Sequence, residues 1–299
     1  MPLIRYVITS ATSLFLGIAG LVPALATDKL PVVASFSILA DLVENVGGER
    51  VEVSMLVGPD GDGHTFQPSP ADAKTMAAAR LVFVNGFGFE GWMPRLVEAS
   101  GTKAAVIETA AGLKAQTMDE DGQTITDPHV WQSVANTEHL VAAIRDGLDK
   151  ADPAGKSVYD ANAQAYLAKL EALESEVKTA IAAIPAERRR IITSHDAFGY
   201  FGTAYGMSFI APQGVSTDTE ASAQAVAKII RQIRAEKIPA VFLENISDPR
   251  LIRQIADETG AKIGGTVFSD ALSAKSGPAG TYIDMMRHNI REFASALGS

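Results

Sequence analysis

Apolar residues recur at helical spacing over a long stretch in the middle of the chain. From Tyr159 to Ile184 they lie three or four positions apart, which keeps one face of an α-helix apolar for about seven turns. Pro153 lies where a first-turn proline is tolerated, and Pro185 ends the pattern. We therefore predict a helix over residues 152–185, about 45–50 Å long at roughly 1.5 Å per residue. This length favours a connector between two lobes; a long surface helix of a single domain is the alternative.

On both sides of this helix, short apolar strands alternate with amphipathic helices. Four strands are predicted before the helix and four after it, at residues 31–36, 51–57, 80–85, 104–107, 189–193, 207–210, 240–243 and 262–268. This alternation indicates parallel sheets with helices on their faces. The predicted fold is α/β, with two Rossmann-like lobes over 27–151 and 186–299 joined by the long helix. One polar, acidic segment, residues 115–126, has no periodicity, and we expect a mobile loop there.

The N-terminal segment has the pattern of an export signal. Arg5 supplies the positive charge, Val7–Val22 is apolar, and Ala24–Ala26 is a small-residue cleavage site. The pattern predicts a cleaved signal peptide over residues 1–26 and a mature chain that begins at Thr27; a retained membrane anchor is the alternative.

The composition narrows the location and the partners. The chain of 299 residues has no cysteine, which excludes disulfides, thiolate metal sites and an N-terminal lipid-anchored cysteine. The net charge is −9 without a basic run, which argues against nucleic acid or an anionic membrane as a partner. We expect a soluble, monomeric protein of the periplasm without a direct membrane anchor.

Three of the five histidines lie at the ends of predicted elements. His64 is in the loop after the second strand, His129 begins a helix, and His195 ends a strand of the second half, as does Asp270. Ligands of open parallel sheets bind at the carboxyl ends of the strands, so these four side chains can converge in a cleft between the lobes. Taken alone, each histidine is more simply a structural residue. Together they suggest a tetrahedral site for a divalent metal.

Other polar residues have weaker assignments. His139 and His288 lie inside predicted helices, and we interpret them as structural. Glu244 and Asp196 lie near the presumed cleft, where they could orient an imidazole or cap the following turn.

Four segments resemble motifs of one family, the solute-binding proteins of bacterial zinc and manganese ABC importers. The segments are Gly58–Pro70, Asp127–Trp131, Ser194–Phe201 and Ser269–Leu272. The resemblance extends over residues 28–297 and implies that His64, His129, His195 and Asp270 are the metal ligands. It also departs from the family pattern at Gly63, at Gln67 and at Gln132–Val134, none of which is a ligand position.

The resemblance implies a function in transport and no catalysis. The protein would capture one Zn²⁺ in the periplasm and deliver it to the membrane permease of an ABC importer. A histidine at the third ligand position, here His195, resembles zinc members of the family, whereas glutamate resembles manganese members; Mn²⁺ is the alternative cargo. Two competing classes are an exported zinc hydrolase, with Glu244 as its general base, and a metal-containing surface adhesin. A fourth protein ligand, Asp270, argues against the hydrolase, because a catalytic zinc keeps a position open for water.

Overall fold

The computed structural model describes residues 28–120 and 122–298. The predicted signal peptide and its cleavage site lie outside the described residues. Within the described part of the chain, no helix combines the length and apolar character needed to span a membrane.

The first half of the chain forms a four-stranded parallel sheet. Its strands are β1 (Leu30–Phe36), β2 (Val51–Val57), β3 (Leu81–Val84) and β4 (Ala105–Glu108), in the order β2-β1-β3-β4. The intervening helices are α1 (Ser37–Gly47), α2 (Pro70–Ala78) and α3 (Met93–Ser100). Helix α2 begins at a capping box, in which Ser69 and Asp72 bond reciprocally, with Pro70 in the first turn.

The acidic segment is a β-hairpin, so the predicted mobile loop was wrong. Strands β5 (Gln116–Glu120) and β6 (Gln123–Asp127) pair antiparallel, with Glu120 opposite Gln123. The two-residue connection ends in Gly122, which has a φ of 80°, a conformation that glycine adopts without strain. The hairpin leads through a 3₁₀ turn (Val130–Gln132) into helix α4 (Val134–Ala151).

The long helix is present and slightly shorter than predicted. Helix α5 (Lys156–Ala182) is preceded by a 3₁₀ turn at Pro153–Gly155 and spans about 40 Å. The predicted apolar face is the buried one, formed by Tyr159, Ala163, Tyr166, Leu170, Leu173, Val177, Ile181 and Ile184. It packs mainly on α4 and α1 of the first half and on the C-terminal helix, so it contacts both halves of the chain.

The second half repeats the parallel arrangement. Its strands are β7 (Arg190–Ile192), β8 (Ser208–Ile210), β9 (Ala240–Glu244) and β10 (Lys262–Val267), in the order β10-β9-β7-β8. Its helices are α6 (Gly199–Tyr205), α7 (Ala223–Glu236), α8 (Arg250–Thr259) and α9 (Tyr282–Leu297). Helix α8 ends at Gly260, which is in the left-handed conformation.

Three of the four predicted ligands follow strands of the two parallel sheets. His64 follows β2 of the first sheet, and His195 and Asp270 follow β7 and β10 of the second; His129 follows β6 of the hairpin. One hydrophobic core runs through the first sheet, α5 and α9, and a smaller one lies under β9 and α8. The α/β fold with two parallel sheets is confirmed.

Candidate metal centre

His64 is carried by a loop that other parts of the chain hold in place. Asp62 Oδ1 accepts the backbone N–H of His64 at 2.9 Å, and the Trp92 indole N–H donates to the Gly63 carbonyl at 2.7 Å. A Cβ added at Gly63 would lie 2.4 Å from the ring of Phe89, which also contacts the His64 ring edge-on. The absence of a side chain at position 63 therefore lets Phe89 pack beneath the imidazole.

His129 is oriented by the aspartate two residues before it. Asp127 Oδ1 accepts both the backbone N–H of His129 at 2.9 Å and a hydrogen bond from its Nδ1 at 2.8 Å. With the proton on Nδ1, the lone pair of Nε2 faces the cleft. Sequence reasoning assigned no role to Asp127, although the Asp-x-His spacing is a signal that could have identified it.

His195 is oriented by Glu244 from the neighbouring strand. Glu244 Oε1 accepts the backbone N–H groups of Ser194 and His195 at 2.6 and 2.9 Å, and Oε2 accepts from His195 Nδ1 at 2.5 Å. All three residues are buried. Of the two candidates named from the sequence, Glu244 thus contacts an imidazole, whereas Asp196 donates its backbone N–H to the Gly214 carbonyl.

The four predicted ligand side chains converge on one point. The Nε2 atoms of His64 and His129 are 3.2 Å apart, and Asp270 Oδ2 lies 3.3 Å from His64 Nε2 and 3.1 Å from His195 Nε2. The potential ligand atoms of all four residues lie within 4.8 Å of one another. Donors held by one ion at about 2.0–2.1 Å in a tetrahedron are about 3.3–3.4 Å apart, so the spacing suits a shared cation.

The cluster is almost completely removed from solvent. His129, His195 and Asp270 are 0% exposed, and the His64 side chain retains 5% exposure. The second carboxylate oxygen of Asp270, Oδ1, faces His129 Nε2 at 3.6 Å and has no hydrogen-bond partner among the described residues. A buried carboxylate oxygen without a partner is costly, and a cation at this point would satisfy it.

Burial and the acidic neighbours act on protonation in opposite directions. Burial lowers the pKa of the His64 imidazole below its ordinary value, despite the nearby carboxylate of Asp270. At His129 and His195 burial is outweighed by carboxylates, which raise the pKa of His129 to about 9 and that of His195 well above its ordinary value. Although burial opposes them, these imidazoles hold the pKa of Asp270 well below its usual range. A cation that binds here must displace protons from the cluster.

The two other histidines lie elsewhere and bond to backbone carbonyls. His139 Nε2 contacts the Ala111 carbonyl at 2.8 Å, and His288 Nε2 contacts the Thr266 carbonyl at 2.9 Å. Their interpretation as structural helix residues agrees with these contacts.

Sequence reasoning missed a buried acid behind the site. Glu90 accepts the Ser35 hydroxyl at 2.6 Å and the backbone N–H of Asn85 at 2.7 Å, and burial raises the pKa of its carboxyl. The Asn85 side chain in turn donates to the Pro128 carbonyl at 2.8 Å, next to a predicted ligand. Glu90 lies in the turn after β3, close to Asn85, but its partner Ser35 belongs to β1, 55 positions away, and no local pattern predicts that contact.

Comparison with known proteins assigns the family. A family model described as ZnuA, the periplasmic component A of a zinc-uptake complex, matches residues 32–296. The chain belongs to the ZnuA/TroA family. It is therefore a metal-binding, substrate-binding protein of an ABC transporter.

Similar members of the ZnuA/TroA family differ in the metal for which they are named. The manganese-binding lipoprotein MntA of Halalkalibacterium halodurans is 36% identical over 271 residues, which cover 90% of this chain and 89% of MntA. The iron-binding protein YfeA of Yersinia pestis is 31% identical over 276 residues, 92% of this chain and 89% of YfeA. The structure of the periplasmic zinc-binding protein TroA from Treponema pallidum superposes with a TM-score of 0.86 at 31% identity, covering 91% of this chain and 100% of TroA.

Proposed function

We propose that this protein captures one Zn²⁺ through His64, His129, His195 and Asp270 and delivers it to an ABC permease. The observation that carries the proposal is the buried convergence of three imidazole nitrogens and one carboxylate within 4.8 Å. At His129 and His195, the carboxylate on Nδ1 keeps Nε2 available as a ligand, an arrangement typical of metal-binding histidines.

The donor set supports zinc over manganese. Zn²⁺ binds imidazole nitrogen well and accepts four-coordinate geometry, whereas Mn²⁺ lies at the weak end of the divalent series and prefers oxygen ligands. Three of the four donors here are nitrogens. Manganese is the second candidate, and it is supported by the names of similar proteins such as MntA and by the second oxygen of Asp270, which also faces the cluster.

The position of Glu244 gives no support to the alternative of a zinc hydrolase. A general base must reach a water on the open side of the metal. Both oxygens of Glu244 are instead engaged behind His195, with its Nδ1 and with two backbone N–H groups. This position of Glu244 favours metal capture and release over hydrolysis.

The remaining parts of the proposal concern the whole chain. A single chain supplies all four donors, which supports a monomer. We propose that residues 27–151 and 186–299 form two lobes on either side of the connecting helix.

We also propose export by a cleaved signal peptide without lipid attachment, because the sequence contains no cysteine, although relatives such as MntA are named as lipoproteins. Mass spectrometry of the mature N-terminus tests this, and a chain beginning at Thr27 is expected.

Metal choice is tested by competition titrations of Zn²⁺ against Mn²⁺. The wild-type protein should bind Zn²⁺ far more tightly. His195→Glu should weaken zinc binding and narrow the gap to manganese, because it replaces a nitrogen donor by a carboxylate. His288→Ala is the control and should leave both affinities unchanged, since His288 lies outside the cluster, against the Phe268 ring and the Thr266 carbonyl. A wild-type preference for Mn²⁺ would overturn the zinc proposal.

A further inference from the structure

One backbone carbonyl joins the two halves of the chain directly behind the candidate metal site. The Ser269 carbonyl accepts the Trp131 indole N–H at 2.8 Å and the Gln132 side-chain N–H at 2.6 Å. All three residues are 0% exposed. The two donors follow His129 in the chain and the acceptor immediately precedes Asp270. These hydrogen bonds therefore tie the His129 segment of the first half to the Asp270 segment of the second half.

The rest of the Asp270 segment is fastened at its ends. The Asn289 side chain pairs with both backbone groups of Phe268, at 2.9 and 2.8 Å. At the other end, the Ser37 hydroxyl accepts the backbone N–H of Leu272 at 2.9 Å, and the Leu272 carbonyl accepts the backbone N–H of Asp60 at 2.9 Å. Between these ends, the Asn245 side chain donates to the Ala271 carbonyl at 3.2 Å, on the far side of Asp270. The Ser269 carbonyl is the interior attachment that reaches the segment carrying His129.

The opposite side of the 3₁₀ turn is held as well. The Tyr282 hydroxyl donates to the Trp131 carbonyl at 2.8 Å, and the Thr137 hydroxyl lies 2.9 Å from the Tyr282 hydroxyl. The Trp131 ring also contacts the His129 imidazole edge-on, with centroids 5.3 Å apart. A shift of the Ser269 carbonyl would therefore be resisted by a turn that is itself fixed to the imidazole.

The Gln132 amide contributes little to the stability of the fold. Its side-chain oxygen, Oε1, is buried and has no partner among the described residues, which costs free energy in the folded state. A methionine has nearly the same length and would leave no unpaired oxygen. The Ser269 carbonyl would still accept the Trp131 N–H, so the loss of the amide would leave no buried acceptor unsatisfied. The net contribution of the amide to folding is therefore small, while its N–H restrains the peptide next to Asp270.

We infer that Gln132 is a positioning residue that, together with Trp131, holds Asp270 against His129 before the metal arrives. The inference rests on the proposed metal site. The cost of ordering a ligand is then met during folding and does not weaken metal binding. Without the second donor the Ser269 carbonyl is held by Trp131 alone. The orientation of the Asp270 carboxylate, whose two oxygens lie 3.1 Å from His195 and 3.6 Å from His129, is then less firmly fixed.

The test compares Gln132→Met with Tyr205→Phe as a matched control. The Tyr205 hydroxyl accepts the backbone N–H of Val134 at 3.0 Å and donates to Glu174 at 2.6 Å, so the control deletes another buried hydrogen-bonding group close to the same turn. Three quantities are measured for each protein: the zinc dissociation constant by chelator competition, the melting temperature without metal, and the visible spectrum with bound Co²⁺.

Gln132→Met should bind zinc about tenfold more weakly, the lower end of the range for outer ligand partners, because Trp131 still holds Ser269. Its melting temperature without metal should be unchanged or higher, and its Co²⁺ spectrum should change with the orientation of Asp270. Tyr205→Phe should show the reverse, with a lower melting temperature and wild-type zinc affinity and Co²⁺ spectrum.

Two results would overturn the inference while leaving the metal site intact. The first is wild-type zinc affinity and a wild-type Co²⁺ spectrum in Gln132→Met. The second is an equal loss of affinity in Tyr205→Phe, which would make the effect a general consequence of a lost hydrogen bond. Wild-type protein that binds no metal would remove the proposed function and this inference together. Gln132→Leu, measured in the same way, serves if the methionine variant does not fold.

Discussion

Glu244→Gln should inactivate one zinc ligand through a change of tautomer, without altering the shape of the site. In the wild type, one oxygen of Glu244 accepts two backbone N–H groups and the other accepts from His195 Nδ1. A glutamine has only one oxygen for these two sets of donors. If its oxygen stays on the backbone N–H groups, its NH₂ group faces Nδ1, and the imidazole must carry its proton on Nε2, the atom that faces the metal.

The alternative orientation of the amide is also unfavourable. With the oxygen on Nδ1, the NH₂ group faces the backbone N–H groups of Ser194 and His195, both in buried residues. Each unsatisfied buried donor costs about 1–3 kcal/mol, so this orientation costs about 2–6 kcal/mol. Either way we expect zinc affinity to fall by at least about tenfold, or about 1.4 kcal/mol.

Asp127→Asn is the matched control, since it makes the same chemical change beside a different ligand. A single oxygen, Asp127 Oδ1, accepts both N–H groups of His129, while Oδ2 has no partner among the described residues. An asparagine can therefore keep its oxygen on both donors and preserve the tautomer. Its affinity loss should be less than tenfold, as expected for the loss of charge alone.

The zinc dissociation constants of the wild type, Glu244→Gln and Asp127→Asn are measured by chelator competition at one pH. Melting temperatures recorded without metal confirm that each protein is folded. Equal losses in the two variants, or a larger loss in Asp127→Asn, would refute the tautomer argument.

Three further predictions concern the effect of zinc on melting, the identity of the ligands and one buried carboxyl. Zinc bound only by the folded state should raise the melting temperature, with a linkage free energy of about 4 kcal/mol at free metal 1,000 times the dissociation constant; equal melting with and without zinc would contradict this. His129→Ala should weaken zinc binding severely and His139→Ala should not, as measured by titration; similar effects would make the ligand assignment wrong. Asp41 accepts the backbone N–H of Tyr282, and burial raises the pKa of its carboxyl to about 6. The carboxyl is protonated in both the folded and the unfolded protein below about pH 4 and costs no stability there. As the pH rises from about 4 to 6, the cost of ionising it in the folded protein grows to its full value. Asp41→Asn should therefore become more stabilising between pH 4 and 7, by at most about 3 kcal/mol in chemical denaturation, and a pH-independent difference would contradict this.

The long helix shows how much local periodicity can predict. Every apolar position assigned to its inner face, from Tyr159 to Ile184, is buried. The pattern alone is sufficient because side chains three or four residues apart share a helix face whatever lies opposite. Its ends were less predictable: the helix stops at Ala182, although the apolar pattern continues to Ile184.

The hairpin at residues 116–127 was missed although a signal for it was present. Asp121-Gly122 is a dipeptide typical of two-residue hairpin loops, and Met118 and Ile125 alternate with polar residues on either side. The acidic composition of the segment suggested a loop, but the antiparallel pairing satisfies its backbone groups regardless of charge.

The sequence by itself determined the α/β class, the amphipathic faces and, with the family resemblance, the four residues proposed to bind metal. Only the tertiary structure decided how these residues are held. The Glu244 carboxylate is 49 positions from His195, and the Ser269 carbonyl is 137 positions from the Gln132 amide. Local patterns restrict contacts to residues a few positions apart. Which oxygen meets which imidazole, and which carbonyl receives Gln132, depends instead on how the two sheets and their loops pack around the cleft.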